Sequence, residues 1–193
     1  MYYILGLGNP GKQYDGTRHN VGRDLVSAVA GEVSWQKSKH ANAHYAHGLV
    51  ASTEVKWLLP DTFMNKSGDT ARYVQQKHGA TPEQFIVVYD DVDLAIGEFK
   101  VSTGRGDGGH NGIKSLIGAL KSKDFIRIRV GVARTSFWTG KARRPEGAAL
   151  PRHVLGPFSS SERKKLTTMQ DSISQALTVI VRDGVQAAMN QYN

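Results

Sequence analysis

The sequence predicts an α/β fold: a single-domain, three-layer sandwich with helices on both sides of a mixed central sheet. Three observations lead there. Short apolar and β-branched runs alternate with segments of helical spacing along the whole chain, the pattern of strands separated by helices. The 193 residues suit one domain with a real hydrophobic core. No repeat, low-complexity segment or linker divides them, so residues 1–193 are expected to form one unit.

The elements follow in order. Tyr2–Leu7 is a short buried strand, and a glycine-rich loop from Gly8 runs on to Asn20. Val21–Ala30 carries apolar residues at helical spacing. Ala41–Ser52 and Val55–Leu59 are two strands with a turn at Thr53-Glu54, followed by a loop over Asp61–Gly68 and a helix over Asp69–His78. Phe85–Tyr89 is a β-branched and aromatic strand that ends in the acidic Asp90-Asp91-Val92-Asp93. Phe99–Val101 is a further strand, Gly104–Gly112 a second glycine-rich loop, and a helix then runs to about Leu120. Ile126–Val132 alternates as Ile-Arg-Ile-Arg-Val, which predicts a strand with one basic face. Arg134–His153 is irregular and basic. Ser159–Val181 and Val185–Gln191 are helical, with Ser159 or Ser160 as the cap.

Composition narrows the function. No apolar run approaches the ~18 residues of a membrane-spanning helix. The opening Met-Tyr-Tyr-Ile-Leu-Gly lacks a basic segment and a long apolar stretch, so a soluble cytosolic protein is expected. Cysteine is absent, which rules out disulfides and thiolate metal sites. The net charge is +8, and residues 100–165 hold 15 Lys/Arg against 4 Asp/Glu. A polyanion partner, most simply a nucleic acid, accounts for that asymmetry, and so does a solubilising surface.

Ligand loops in α/β folds lie at the carboxyl ends of strands. Gly6-Leu7-Gly8-Asn9-Pro10-Gly11 has dinucleotide-loop spacing. However, Pro10 removes a donor, and the next helix begins about ten residues too late to meet a pyrophosphate. Asp90, Asp91 and Asp93, or His40, His44 and His47, could hold a metal, but neither set has a strong ligand pattern, and no metal is expected. A hydrolase without cysteine or metal needs a base. His19 in a polar loop and Asp90 at a strand end are candidates, since a carboxylate can fix an imidazole's tautomer and stabilise its cation. Asn9, Asn20, Asn65 and Asn111 lie in the same loops. Such amides can serve an oxyanion and a peptide N–H, although asparagine also simply suits turns.

Five segments in order then resemble the bacterial peptidyl-tRNA hydrolase family. They are Leu7-Gly8-Asn9-Pro10-Gly11 with Tyr14 and Thr17-Arg18-His19-Asn20-Val21-Gly22; Phe63-Met64-Asn65 with Ser67-Gly68; Asp90-Asp91-Val92-Asp93 with Gly97; Gly108-Gly109-His110-Asn111-Gly112 with Ser115; and Arg127-Ile128-Arg129-Val130-Gly131-Val132. They span residues 1–132, and Val154-Leu155-Gly156 with Phe158 resembles the family's C-terminal segment.

The resemblance implies a monomeric, cofactor-free enzyme. It would cleave the ester between a peptide and the ribose of its tRNA, engaging acceptor stem, CCA end and peptide, and so recycle tRNA from abandoned translation. It further implies His19 as base, Asp90 as the group that holds it, and Asn9 as the discriminator of N-blocked substrates. Tyr14, Phe63, Asn65 and Asn111 would contact substrate, and Met64 would line a peptide groove. The family often has a basic residue nine positions before the asparagine of Gly-Gly-His-Asn-Gly, where it is thought to clamp the tRNA 5′-phosphate. This chain has Ser102 there, so Lys100, Arg105 and Arg129 are the expected phosphate contacts. The basic stretch through Arg143-Arg144-Pro145 departs from the family, and Asp107 has no assigned role. The competing reading is a non-catalytic RNA-binding homologue of the same fold.

Overall fold

The computed structural model describes residues 1–136 and 142–193. The first half of the chain forms β1 (Tyr2–Gly6), α1 (Val21–Ala30), β2 (Gln36–Ser38), β3 (Ala43–Val50), β4 (Thr53–Pro60) and α2 (Gly68–His78). The second half forms β5 (Phe85–Ala95), β6 (Phe99–Ser102), α3 (Asn111–Leu120), β7 (Ile126–Thr135), β8 (Ala142–Arg143), α4 (Ala149–Val154), α5 (Ser160–Asp183) and α6 (Val185–Tyr192). Short 3-10 turns at Lys12–Tyr14, Arg18–Asn20 and Met64–Lys66 shape the loops after β1 and β4.

The strands form one mixed sheet in the order β2-β3-β4-β1-β5-β7-β6, with β8 paired to the end of β7. The four central strands β4, β1, β5 and β7 are parallel. The outer strands β3 and β6 run antiparallel to their neighbours. Central parallel strands are covered on both faces and so are apolar on both. Ile4, Ile86, Val88 and Ile128 pack on the face held by α1, α5 and α6. Tyr3, Leu5, Phe85 and Val87 pack on the face held by α2 and α3. This is the three-layer mixed sandwich that the sequence predicts. Among the described residues, no helix is long and apolar enough to cross a membrane.

Several boundaries differ from expectation. The β3–β4 turn is Ala51-Ser52, not Thr53-Glu54, and both residues have positive φ (48° and 63°). A two-residue hairpin loop of that kind matches the strand twist. β5 and β7 run on past Tyr89 and Val132, because they continue to pair through Asp91↔Gly131 and, after a register shift, Ala95↔Ala133. β2, a three-residue edge strand, was not foreseen. The expected basic face of β7 is not a solvent face: Arg127 is 1% exposed. The stretch expected to be irregular from Arg134 to His153 contains the end of β7, β8 and α4, while residues 137–141 fall outside the described residues. Ser159 caps α5 in a capping box with Glu162.

Candidate active site

The parallel strands β1, β4 and β5 end at one edge of the sheet, and the loops that follow them meet there. A close approach brings the first and third loops together. A Cβ on Gly22 would lie 2.1 Å from the Val88 carbonyl oxygen, so only glycine lets α1 sit this close to β5. His19 lies three residues before Gly22, and Asp90 two after Val88. That packing seats the histidine over the carboxylate.

His19 Nδ1 lies 2.9 and 3.0 Å from the two Asp90 oxygens. Asp90 Oδ1 also receives His110 Nε2 at 2.9 Å. The His110 tautomer follows from its other nitrogen. Nδ1 accepts from Gly112 N–H and Ile113 N–H at the start of α3, so the ring proton is on Nε2 and is donated to Asp90. With Nδ1–H of His19 likewise on Asp90, Nε2 of His19 is left as the basic atom. The His19 side chain is 14% exposed and that of Asp90 2%. Burial pushes the Asp90 carboxyl up, but the two imidazoles outweigh it and hold the group below the usual carboxylate range. Burial pushes His19 down, and the charge and hydrogen bond of Asp90 raise it above its ordinary value on balance.

The asparagines fall into two kinds. Asn20 is buried and ties down the β1 loop: its Oδ1 accepts from Asn9 N–H at 2.8 Å, and its Nδ2 donates to Asn9 O at 2.9 Å. Asn9 Oδ1 accepts from Met64 N–H at 2.8 Å, which joins the first and second loops. Asn65 and Asn111 are exposed, and both line the cleft of about 760 Å³ at this edge. Asn9, Tyr14, His19, Phe63, Met64 and Asp90 line it as well. Phe63 is 54% exposed and meets Tyr14 edge-on, with ring centroids 6.3 Å apart. Met64 borders the cleft but is 4% exposed, part of the core beneath it.

The basic residues divide similarly. Arg105, Arg127 and Arg129 line the cleft, whereas Lys100, directly opposite Arg129 on β6, is not part of its lining. Arg129 is already engaged: its Nε donates to Asp91 Oδ2 at 2.7 Å. Ser102 is buried. The C-terminal side of the cleft is formed by Leu150, Pro151, Val154 and Leu155 of α4 and its end. Arg144 beside them reaches Asp93 at 2.7 Å. Asp107, without a role in the sequence, accepts from Gly109 N–H through Oδ1 and from His110 N–H through its carbonyl, and so turns the chain into α3.

His19, Asp90 and His110 offer ligand-type atoms within 4.8 Å of one another, the spacing a metal would need. Their contacts have the lengths and donor pattern of shared protons, which supports a base unit. Sequence reasoning gave His110 no role in this site, placed Asn20 only in the amide cluster and Asp91 only in a possible metal set. Each is adjacent to a chosen residue, and the chemistry of a neighbour along the chain gives no signal of which way its side chain points.

A profile of the peptidyl-tRNA hydrolase family matches residues 3–193. The peptidyl-tRNA hydrolase of Alkaliphilus metalliredigens is 41% identical over 198 aligned positions, covering all of both chains. That of Clostridium tetani is 38% identical over 194 positions, covering 100% of this chain and 97% of its own. The crystal structure of peptidyl-tRNA hydrolase from Acinetobacter baumannii is similar with a TM-score of 0.88 at 29% identity, covering 100% of this chain and 94% of that one. Sequence and backbone agree from end to end, and the chain therefore belongs to the peptidyl-tRNA hydrolase family.

Proposed function

We propose that this chain hydrolyses the ester between a peptide and the ribose of its tRNA, with His19 as the base. Membership of the family makes it a peptidyl-tRNA hydrolase. The observation that carries the residue assignment is the His19 Nδ1 contact with both Asp90 oxygens, which directs the free Nε2 away from the carboxylate. His19 Nε2 takes a proton from water as the oxygen attacks the ester carbonyl. Asp90 stabilises the imidazolium that forms. Asn65 and Asn111 donate to the developing oxyanion, beside the positive end of α3. The tetrahedral intermediate collapses and expels the ribose oxygen, which receives the proton from the imidazolium. Asn9, whose Oδ1 is held by Met64 N–H, turns its amide N–H₂ toward the peptide end of the substrate and reads an N-blocked chain.

Tyr14 and Phe63 offer apolar faces to the CCA end. Arg105 and Arg129, with Lys100 behind them, meet phosphates of the acceptor stem, whose duplex is recognised through backbone and shape. In this reading the enzyme is a monomer that acts in the cytosol on tRNA left by translation. The test is release of tRNA from purified N-acetyl-aminoacyl-tRNA. His19→Ala should abolish release while binding of deacylated tRNA survives. Release near the wild-type rate from a clean preparation refutes the base, and no release by the wild-type chain leaves an RNA-binding homologue.

A further inference from the structure

Most loops of the site leave the sheet at the edge where the cleft lies; the loop after β6 does not. β6 is antiparallel, and its last residue, Ser102, pairs with Arg127, whereas Asp90 pairs with Val130, three residues farther along β7. At about 3.3 Å per residue, the chain from Ser102 must climb roughly 10 Å over the sheet before His110 can reach Asp90. Its glycines give it no side chains with which to hold that path. Gly104, Gly108 and Gly109 all have positive φ.

The anchor comes from beneath. Arg127 is 1% exposed, and its guanidinium points up into the loop. Nη1 donates to Gly106 O at 2.6 Å, and Nη2 donates to Arg105 O and, at 3.4 Å, to Lys123 O. The cation lies over the Phe125 ring, 4.4 Å from its centroid. From there the Asp107 turn carries the chain through Gly109 to His110, which caps α3 and donates to Asp90. Tyr89, another neighbour of Arg127, meets the His110 ring in a T-shaped contact with centroids 4.9 Å apart. We propose that Arg127 is a positioning residue for hydrolysis: it fixes the 105–110 loop from inside the protein and thereby delivers His110, and Asn111 after it, to Asp90.

This assignment rests on His19 and Asp90 being the base unit. It separates Arg127 from Arg129 two residues later, although the two look equivalent in sequence. Arg129 faces the cleft and belongs with RNA binding. Arg127 borders the same cleft, but it is 1% exposed and its guanidinium is taken up by the loop carbonyls, so it acts on geometry. Lysine keeps the charge but cannot hold two adjacent carbonyls in one plane as the guanidinium fork does.

The test is Arg127→Lys in the full chain, assayed for kcat, KM, salt dependence and pH profile on N-acetyl-aminoacyl-tRNA. The expected result is a kcat lower by about tenfold to a hundredfold, the effect of displacing a site by ~1 Å, with KM and its salt slope unchanged. The acidic limb of kcat/KM should also move to higher pH. His19 is faced by Asp90 from β5 and by His110 from the cap of α3. When His110 retreats, the Asp90 charge is shared with one donor fewer and favours the His19 cation more strongly. Arg127 itself is faced by Tyr89, Arg105 and Arg129, whose charges the lysine variant retains. Asp107→Ala, which loosens the same turn with Arg127 in place, should move the limb in the same direction by less, and Arg127→Gln, whose amide can reach one loop carbonyl at most, is read in the same way if Arg127→Lys does not fold. A raised KM with a flattened salt slope would make Arg127 an RNA contact and overturn the proposal. A lowered melting temperature with the pH limb unmoved would reduce it to a stabilising residue and overturn it too. His19→Ala run alongside keeps failure of the base assignment distinct, since an active His19→Ala would sink that assignment whatever Arg127 does.

Discussion

Replacing Asp90 with asparagine isolates what the carboxylate does for His19. The change is nearly isosteric, so the packing around a side chain that is 2% exposed survives. His110 dictates how the amide sits. Its Nε2–H needs an acceptor at the Oδ1 position, which places the amide carbonyl there and the N–H₂ at the Oδ2 position, 3.0 Å from His19 Nδ1. That N–H₂ drives the His19 proton onto Nε2, the atom that must be free to act as base. The charge stabilisation of the imidazolium disappears as well. For charge centres about 4 Å apart at an effective dielectric of about 20, it is worth about 4 kcal/mol. At 1.36 kcal/mol per decade this amounts to a loss of about 10³-fold in kcat. The pH profile has a definite sign. Asp90 raises the His19 pKa, so the wild-type limb, below which the base is protonated and inactive, lies above the ordinary histidine value. Without the carboxylate, burial alone acts on His19 and pushes it down, and the acidic limb of kcat/KM should fall to lower pH. KM should change little, because Asp90 reaches His19 and His110 rather than substrate. The assay is steady-state release of tRNA from N-acetyl-aminoacyl-tRNA across the pH range. A kcat within tenfold of wild type, or a limb that stays in place or moves up, would refute the reasoning.

Asn20→Ala should leave the buried N–H and C=O of Asn9 without partners. At about 1–3 kcal/mol for such groups and ~2–4 °C per kcal/mol for a chain of this size, the melting temperature should fall by several degrees, measurable by calorimetry. An unchanged melting temperature would show that water replaces the amide. Arg129→Ala should raise KM on full-length substrate and flatten its salt slope by about 0.7–0.9, with kcat nearly intact. The rise should be greater than one lost contact gives, because Asp91, freed of its 2.7 Å partner, then repels the phosphate. A KM and salt dependence equal to wild type would place the phosphate contact elsewhere.

Much of this protein is legible in its sequence. The central strands were readable because both their faces are covered, so runs such as Phe85–Tyr89 are apolar throughout. Val21–Ala30 has the bounds its periodicity predicts. The segments carrying His19, Asn65, Asp90 and Asn111 could be picked out by residue type and order. Strand ends were less legible, because pairing with a neighbour, not local propensity, carries β5 through Asp90 and Asp91.

Spatial relations were decided only by the tertiary structure. The alternation Ile-Arg-Ile-Arg correctly puts Arg127 and Arg129 on one face of β7, but it says nothing of what covers that face. Both border the cleft, but the loop after β6 takes up the guanidinium of Arg127, whereas Arg129 turns to Asp91. Likewise, His110 stands next to Asn111 in the chain, yet its pairing with Asp90 depends on a register between β5, β6 and β7 that no local pattern encodes. Periodicity determines which way a side chain leaves its own backbone. What it meets there depends on contacts between segments far apart in sequence, set by strand register and by close approaches such as that of Gly22 to Val88.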